Sequence, residues 1–113
     1  MIAKTFGGAV YGVDAKLITI EVSIANGKHV NHISGLPDSA VKESTHRIES
    51  TIKDLGLKVP RTKVVVNLAP ADIRKEGTSF DLPIAMCILA ASDQATFTEL
   101  DQYMLMGELA LDG

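Results

Sequence analysis

Lys63-Val64-Val65-Val66-Asn67-Leu68 is the stretch that decides the fold. Its β-branched side chains favour an extended backbone over a helix. A nearly continuous apolar run of this length is typical of a strand that is buried on both faces or lies centrally in a sheet. The rest of the chain is therefore expected to be arranged around a sheet.

Three further strands are predicted before this stretch. Ile2–Tyr11 is apolar around Gly7-Gly8, which indicates a strand with a bulge or a close backbone approach. Leu17–Ser23 alternates in part, and Asn26-Gly27 after it is a strong hairpin signal because both residues tolerate positive φ. Lys28–Ser34 follows as the third strand. The sequence thus predicts that three antiparallel strands open the fold.

The first predicted helix begins after Gly35-Leu36-Pro37, with Asp38 or Ser39 as its N-cap, and ends before Gly56. Its apolar face recurs at helical spacing in Val41, Ile48, Ile52 and Leu55.

A second helix is predicted over the apolar run Leu82–Ala91, which should be buried across the sheet, with Asp81 as its cap. Tyr103–Leu111 is interpreted as a last strand. The predicted class is α+β with the element order β-β-β-α-β-α-β, in one domain covering residues 1–113.

Composition excludes several classes of function. The chain has 113 residues, of which 46% are apolar and 22% charged, and its net charge of −3 disfavours non-specific nucleic-acid binding by this segment alone. Cys87 is the only cysteine, which indicates a reducing, cytoplasmic setting. The first residues, Met1-Ile2-Ala3-Lys4-Thr5, lack the apolar region of a signal peptide, and Leu82–Ala91 is about half the length needed to cross a bilayer, so no membrane association is expected.

Nucleotide and metal motifs are incomplete in this sequence. Gly7 and Gly12 have the spacing of a phosphate-binding loop, but Val13-Asp14 follows where Lys-Ser/Thr is required. The three histidines are His29, His32 and His46. The first two lie three apart in a predicted strand, on opposite faces, so no metal site is predicted.

Residues 69–81 form a long polar connection, and loops of this length in compact domains tend to be functional. Its acidic residues are accompanied by Arg74 and Lys75, a mixture that usually forms a solvated, self-paired surface. Cys87, inside an apolar helix, is interpreted as an inert small hydrophobe.

Five ordered blocks of this sequence resemble a known family. The blocks are Gly35-Leu36-Pro37-Asp38-Ser39-Ala40-Val41-Lys42-Glu43-Ser44, Val66-Asn67-Leu68-Ala69-Pro70-Ala71-Asp72, Lys75-Glu76-Gly77, Phe80-Asp81-Leu82-Pro83-Ile84-Ala85 and Gly107-Glu108-Leu109-Ala110-Leu111. Together they are similar to the amino-terminal domain of Mg-chelatase-like ATPases of the ComM/YifB type, over essentially the whole chain.

The resemblance implies a two-layer fold like the Lon proteolytic domain and domain 2 of ribosomal protein S5. It also implies an AAA+ ATPase domain downstream of Gly113, which uses ATP and Mg²⁺, while residues 1–113 carry no cofactor. The implied parent is a ring, expected to be hexameric, that acts on DNA branches in transformation and recombination. The implied role of this domain is non-catalytic: it contacts its own AAA+ domain and neighbouring subunits.

Two alternative functions remain. The stretch Lys75-Glu76-Gly77-Thr78-Ser79 resembles the nucleophile segment of Lon, which would make Ser79 the nucleophile of a serine peptidase, although bulky Phe80-Asp81 replace the small residues found there. The family name also suggests a subunit of a magnesium chelatase. In the non-catalytic interpretation, Lys63, Arg74 and Lys75 are the candidates for contact with a partner or DNA.

Overall fold

A computed structural model describes residues 1–113 and shows an α+β protein with one four-stranded mixed sheet and two helices. The elements are β1 Ile2–Tyr11, β2 Asp14–Ala25, β3 Val30–Ser34, α1 Ser39–Asp54, β4 Lys63–Ala69 and α2 Asp81–Ala91, followed by a 3-10 helix at Leu100–Gln102. The predicted class and the first six predicted elements are confirmed. The likeness to domain 2 of ribosomal protein S5 stays a prediction.

The strands lie in the order β1-β2-β4-β3, which confirms that β4 is central. β1 and β4 both pair antiparallel to β2, whereas β3 pairs parallel to β4. The prediction of three antiparallel strands is therefore wrong for β3, and Asn26-Gly27 does not form a hairpin between β2 and β3. The edge of β2 that β3 would need is occupied by β4, and α1 makes the crossover between the parallel strands.

The core lies between one face of the sheet and the two helices. Alternate residues of the two middle strands point to this face, as expected for a period of two. They are Ile18, Ile20, Val22, Val64, Val66 and Leu68, all buried. α1 contributes Val41, Ile48 and Ile52 to the same cluster, and α2 contributes Ile84, Ala85, Cys87 and Ala91.

Gly7 marks a close approach and not a bulge. The β1–β2 register runs without interruption from Ile2 to Tyr11, so no residue is inserted. A Cβ atom at Gly7 would lie 2.9 Å from Ile20 Cδ1 and 3.1 Å from the Phe80 ring. Glycine at this position lets these side chains pack directly on the strand.

α1 is capped as predicted, and α2 is not. The Asp38 carboxylate accepts a hydrogen bond from the Val41 amide as the N-cap, and Gly56 has φ of 77° just after the helix. At α2 the N-cap position is Phe80, with no side-chain capping bond. The prediction that Asp81 caps this helix is wrong, because its carboxylate is directed away from the helix amides and toward α1 and residue 109.

The predicted last strand, Tyr103–Leu111, is also wrong. Only Met104 forms a bridge, parallel to Phe6 of β1, before the chain leaves the sheet edge. The Gly107 amide donates to the Ser79 carbonyl, and the Leu82 amide donates to the Gly107 carbonyl. These bonds draw the segment to the start of α2. Neither helix combines the length and apolar character that spanning a membrane requires.

Candidate functional site

The loop between β4 and α2, residues 70–80, is fixed to the start of α1 by backbone bonds. The Lys75 amide donates to the Leu36 carbonyl at 3.0 Å, and the Asp38 amide donates to the Lys75 carbonyl at 2.9 Å. Asp38 also accepts from the Gly77 amide through Oδ2, at 3.1 Å. One carboxylate thus caps α1 and holds the loop, so the loop is structured by the segment before α1.

The Lys75 side chain is fully buried beneath this loop. Its Nζ donates a hydrogen bond to the carbonyl of Pro70, five residues earlier, and forms no ion pair within 4 Å. Burial lowers the pKa of Lys75 because it disfavours the charged ammonium, and the nearby charge of Asp72 opposes this effect. The buried Lys75 side chain fastens the loop and is not displayed on the surface.

Arg47 and Asp81 form a two-point ion pair between α1 and α2. Arg47 Nε donates to Asp81 Oδ2 at 2.6 Å, and Arg47 Nη2 donates to Oδ1 at 3.0 Å. The Asp81 side chain is fully buried and that of Arg47 is 17% exposed. The hydrogen bond that Arg47 donates to Asp81 raises the pKa of Arg47, although desolvation acts against it. A buried carboxylate is tolerated here because both of its oxygens are satisfied.

The same carboxylate binds residues 107–111, which we call the tail segment. Asp81 Oδ2 accepts from the Leu109 amide at 3.1 Å. From α1, Thr51 Oγ1 donates to the Ala110 carbonyl at 2.6 Å and Ser50 Oγ donates to the Leu111 carbonyl at 3.0 Å. The tail segment therefore lies across both helices. Arg47 was not among the predicted site residues, because a charged side chain in an amphipathic helix is usually solvated.

An open groove of about 470 Å³ lies beside the end of β1 and contains Ser79. Ser79 Oγ takes part in no hydrogen bond, and the groove lining includes no lysine or histidine that could act as a base. The cationic group at the groove is Arg74, which is paired with Glu76 at 3.2 Å. Ser79 is thus a partly buried serine that lines the groove without the lysine partner that a Ser-Lys dyad requires.

The other predicted residues lie apart from the loop. Lys63 is exposed at the first position of β4. His29 lies 3.9 Å from Glu49, and the structure contains no group of three or more His, Cys, Asp or Glu residues arranged to hold a metal ion. Burial raises the pKa of Cys87 to about 12, so its thiol stays neutral.

Fold and site together define a small α+β domain whose long loop is built into the structure by buried polar contacts. The family model described as "Subunit ChlI of Mg-chelatase" matches residues 20–113. Escherichia coli YifB is 50% identical over 105 residues, 93% of this chain and 21% of YifB. Haemophilus influenzae competence protein ComM is 47% identical over 112 residues, 99% of this chain and 22% of ComM. Mycobacterium tuberculosis Rv2897c is 33% identical over the same shares of the two chains.

The chain therefore belongs to the Mg-chelatase ChlI family, in the group that contains YifB and ComM. This confirms the resemblance seen in the sequence. The chain spans about a fifth of the length of these relatives.

Proposed function

We propose that this chain is a non-catalytic structural and interaction domain of a Mg-chelatase-like AAA+ ATPase. The observation that carries the proposal is the use of the loop's polar groups. Lys75 and Asp81, which could serve as a base or an acid, are buried and hydrogen-bonded to the domain itself. Ser79, the partly buried candidate that lines the groove, has no lysine or histidine beside it there. The loop is thus organised to hold a shape, which is what an interaction domain needs.

The parent protein is proposed to be an ATP-dependent motor that processes branched DNA in transformation or recombination. The relative ComM is named a competence protein, which supports this part of the proposal. ATP and Mg²⁺ would be bound by an AAA+ domain elsewhere in the parent, which would form a hexameric ring. This domain would contact that AAA+ domain and the neighbouring subunits.

Arg74 and Lys63 are the proposed contact residues, since both side chains are exposed. Lys75 drops out of this set because it is buried. In a full-length protein that carries this domain, Arg74→Glu or Lys63→Glu should weaken ring formation or the stimulation of ATP hydrolysis by branched DNA. Lys16→Glu, an exposed charge reversal on the β1–β2 hairpin, is the matched control. If both variants behaved like Lys16→Glu, the contact assignment would be wrong.

The serine peptidase alternative is favoured by one observation, the exposure of Ser79 to the groove. It is tested by labelling the full-length protein with a serine-reactive fluorophosphonate and comparing Ser79→Ala. Our proposal expects no labelling that depends on Ser79. The chelatase alternative is suggested by the description of the family model. It requires binding of a porphyrin by the full-length protein, which calorimetry would detect and our proposal does not expect.

A further inference from the structure

The outer edge of β1 is free where it borders the groove. Phe6 donates its amide to the Tyr103 carbonyl at 3.2 Å and accepts from the Leu105 amide at 2.7 Å, so its backbone polar groups point away from β2. In an antiparallel pair this orientation repeats every second residue. Gly8 and Val10 therefore also direct their N–H and C=O groups outward. No segment of the chain pairs with them.

The chain itself shows that this edge accepts extended backbone. Residues 103–105 lie along β1 in parallel orientation, bridged at Met104. Continued in register, the next residues would pair with Gly8 and Val10. Instead the Gly107 amide donates to the Ser79 carbonyl, and the segment turns toward α2. The position beside Gly8 and Val10 is thus left to solvent.

The groove beside this edge offers backbone, polar and apolar groups. It is lined by residues 8–12, which form the end of β1 and the start of the turn after it, and by Arg74, Glu76, Ser79 and Met106. Its volume of about 470 Å³ lies in the usual range for ligand sites, about 300–1,000 Å³. Val10 is 81% exposed and Met106 58% exposed, so apolar surface is available for side chains of the bound chain.

Methionine sulfurs lie over the glycine in this groove. A Cβ atom at Gly8 would be 3.3 Å from Met104 Sδ and 3.4 Å from Met106 Sδ. The absence of a side chain at Gly8 therefore lets both methionines lie against the strand. Methionine side chains are flexible and adapt readily to different partners.

We infer that this groove binds an extended peptide segment, which adds as a strand to β1 at Gly8 and Val10. Main-chain hydrogen bonds would supply affinity. Contacts of the peptide's apolar side chains with Met106 and Tyr11 would select among peptide sequences. A second copy of this chain fits less well. Its β1 would be followed by its own β2 about 4.8 Å farther out, where the loop between β4 and α2 already lines the groove. The inference rests on the proposed function only in expecting the peptide to be bound and not cleaved.

The test uses a phage-displayed library of random peptides selected on the 113-residue chain. The enriched peptide is then titrated by fluorescence anisotropy against variants. Val10→Pro removes the outward N–H at an edge position where proline is tolerated, and Val10→Thr keeps both the N–H and the shape. Ser79→Tyr fills the groove from its other wall without altering β1. Val13→Ala changes an exposed apolar residue outside the groove.

We expect Val10→Pro to weaken peptide binding about tenfold, the loss that one unmade hydrogen bond of about 1.4 kcal/mol produces. Ser79→Tyr should weaken binding at least as much, while Val10→Thr and Val13→Ala should stay within about twofold of the wild type. Circular dichroism would show that each variant is folded. On peptide addition, hydrogen exchange should slow at the amides of Gly8 and Val10.

Three outcomes overturn the inference: no enrichment of any peptide, equal binding by Val10→Pro, or a dimer in sedimentation that Val10→Pro disrupts. Cleavage of the bound peptide, detected by mass spectrometry and lost in Ser79→Ala, would instead refute the non-catalytic function and leave the groove assignment intact.

Discussion

Replacing Asp81 with asparagine should remove the charge that joins both helices to the tail segment. Asparagine keeps the shape and one acceptor oxygen, but its amide nitrogen would face the donors of Arg47. Removing one partner of a buried pair costs about 3–5 kcal/mol, and the retained acceptor places this variant near 3 kcal/mol. At about 4 °C per kcal/mol for a domain of this size, Tm should fall by about 12 °C.

Urea unfolding followed by far-UV circular dichroism is the suitable assay, since the chain has no tryptophan. The matched control is Glu76→Gln, which breaks the exposed pair with Arg74, whose side chains are 63% and 69% exposed. That change should cost about 0.5 kcal/mol or less. Equal losses for Asp81→Asn and Glu76→Gln would refute the reasoning.

Two further readouts locate the effect of Asp81→Asn. The amide of Leu109, which donates to Asp81 in the wild type, should exchange its hydrogen faster in the variant. Replacing both members of the pair with apolar residues, Arg47→Met with Asp81→Leu, should recover most of the lost stability, because no buried charge is then left unpaired. A double variant that is as unstable as Asp81→Leu alone would show that packing, and not charge, governs this site.

Three other predictions follow from single residues. The pKa of Lys75 is lowered from its ordinary 10.5, so on raising the pH the folded state loses this proton before the unfolded state does. The free energy of unfolding of the wild type, relative to that of Lys75→Met, should therefore rise with pH up to about 10.5. Urea titrations at several pH values that give a constant difference between the two proteins would contradict this. Cys87 should resist iodoacetamide at pH 8 and react in urea, as mass spectrometry would show; rapid labelling of the folded chain would contradict its burial. Gly35→Ala should prevent folding, because its φ is 102° and a Cβ atom there would lie 2.0 Å from the Leu68 carbonyl oxygen. Gly12→Ala is the control, since a Cβ atom at Gly12 has no neighbour within 4 Å. In a thermal melt this control should lose only about 1–2 kcal/mol of stability.

Local patterns were enough to predict the class, the central strand β4 and both helices. Each of these depends on periodicity or on a cap formed within a few residues, such as Asp38 with Val41. Gly56 was predicted for the same reason, since its positive φ ends α1 without distant partners.

The errors concern contacts between residues far apart in sequence. Asp81 lies where a helix cap is expected, but its partners are Arg47, 34 residues before it, and Leu109, 28 residues after it. Lys75 occurs in a polar loop and was expected to be exposed. In the structure its side chain is buried, and its Nζ donates a hydrogen bond to the Pro70 carbonyl. Composition and spacing carry no signal for such partners, because each residue type is also common on a solvated surface.

The strand order also affects how the chain can fold. β1 and β2 are neighbours in sequence and can pair early, whereas β4 must cross about forty residues of intervening chain to reach β2. β3 has no native position until β4 has arrived, since β4 is its only partner in the sheet. A premature hairpin through Asn26-Gly27 would pair β3 with the edge of β2 that β4 requires, and such a species would have to dissociate before folding continues. The slow step of folding is therefore expected to be the docking of β4, with α1 as the tether that brings it.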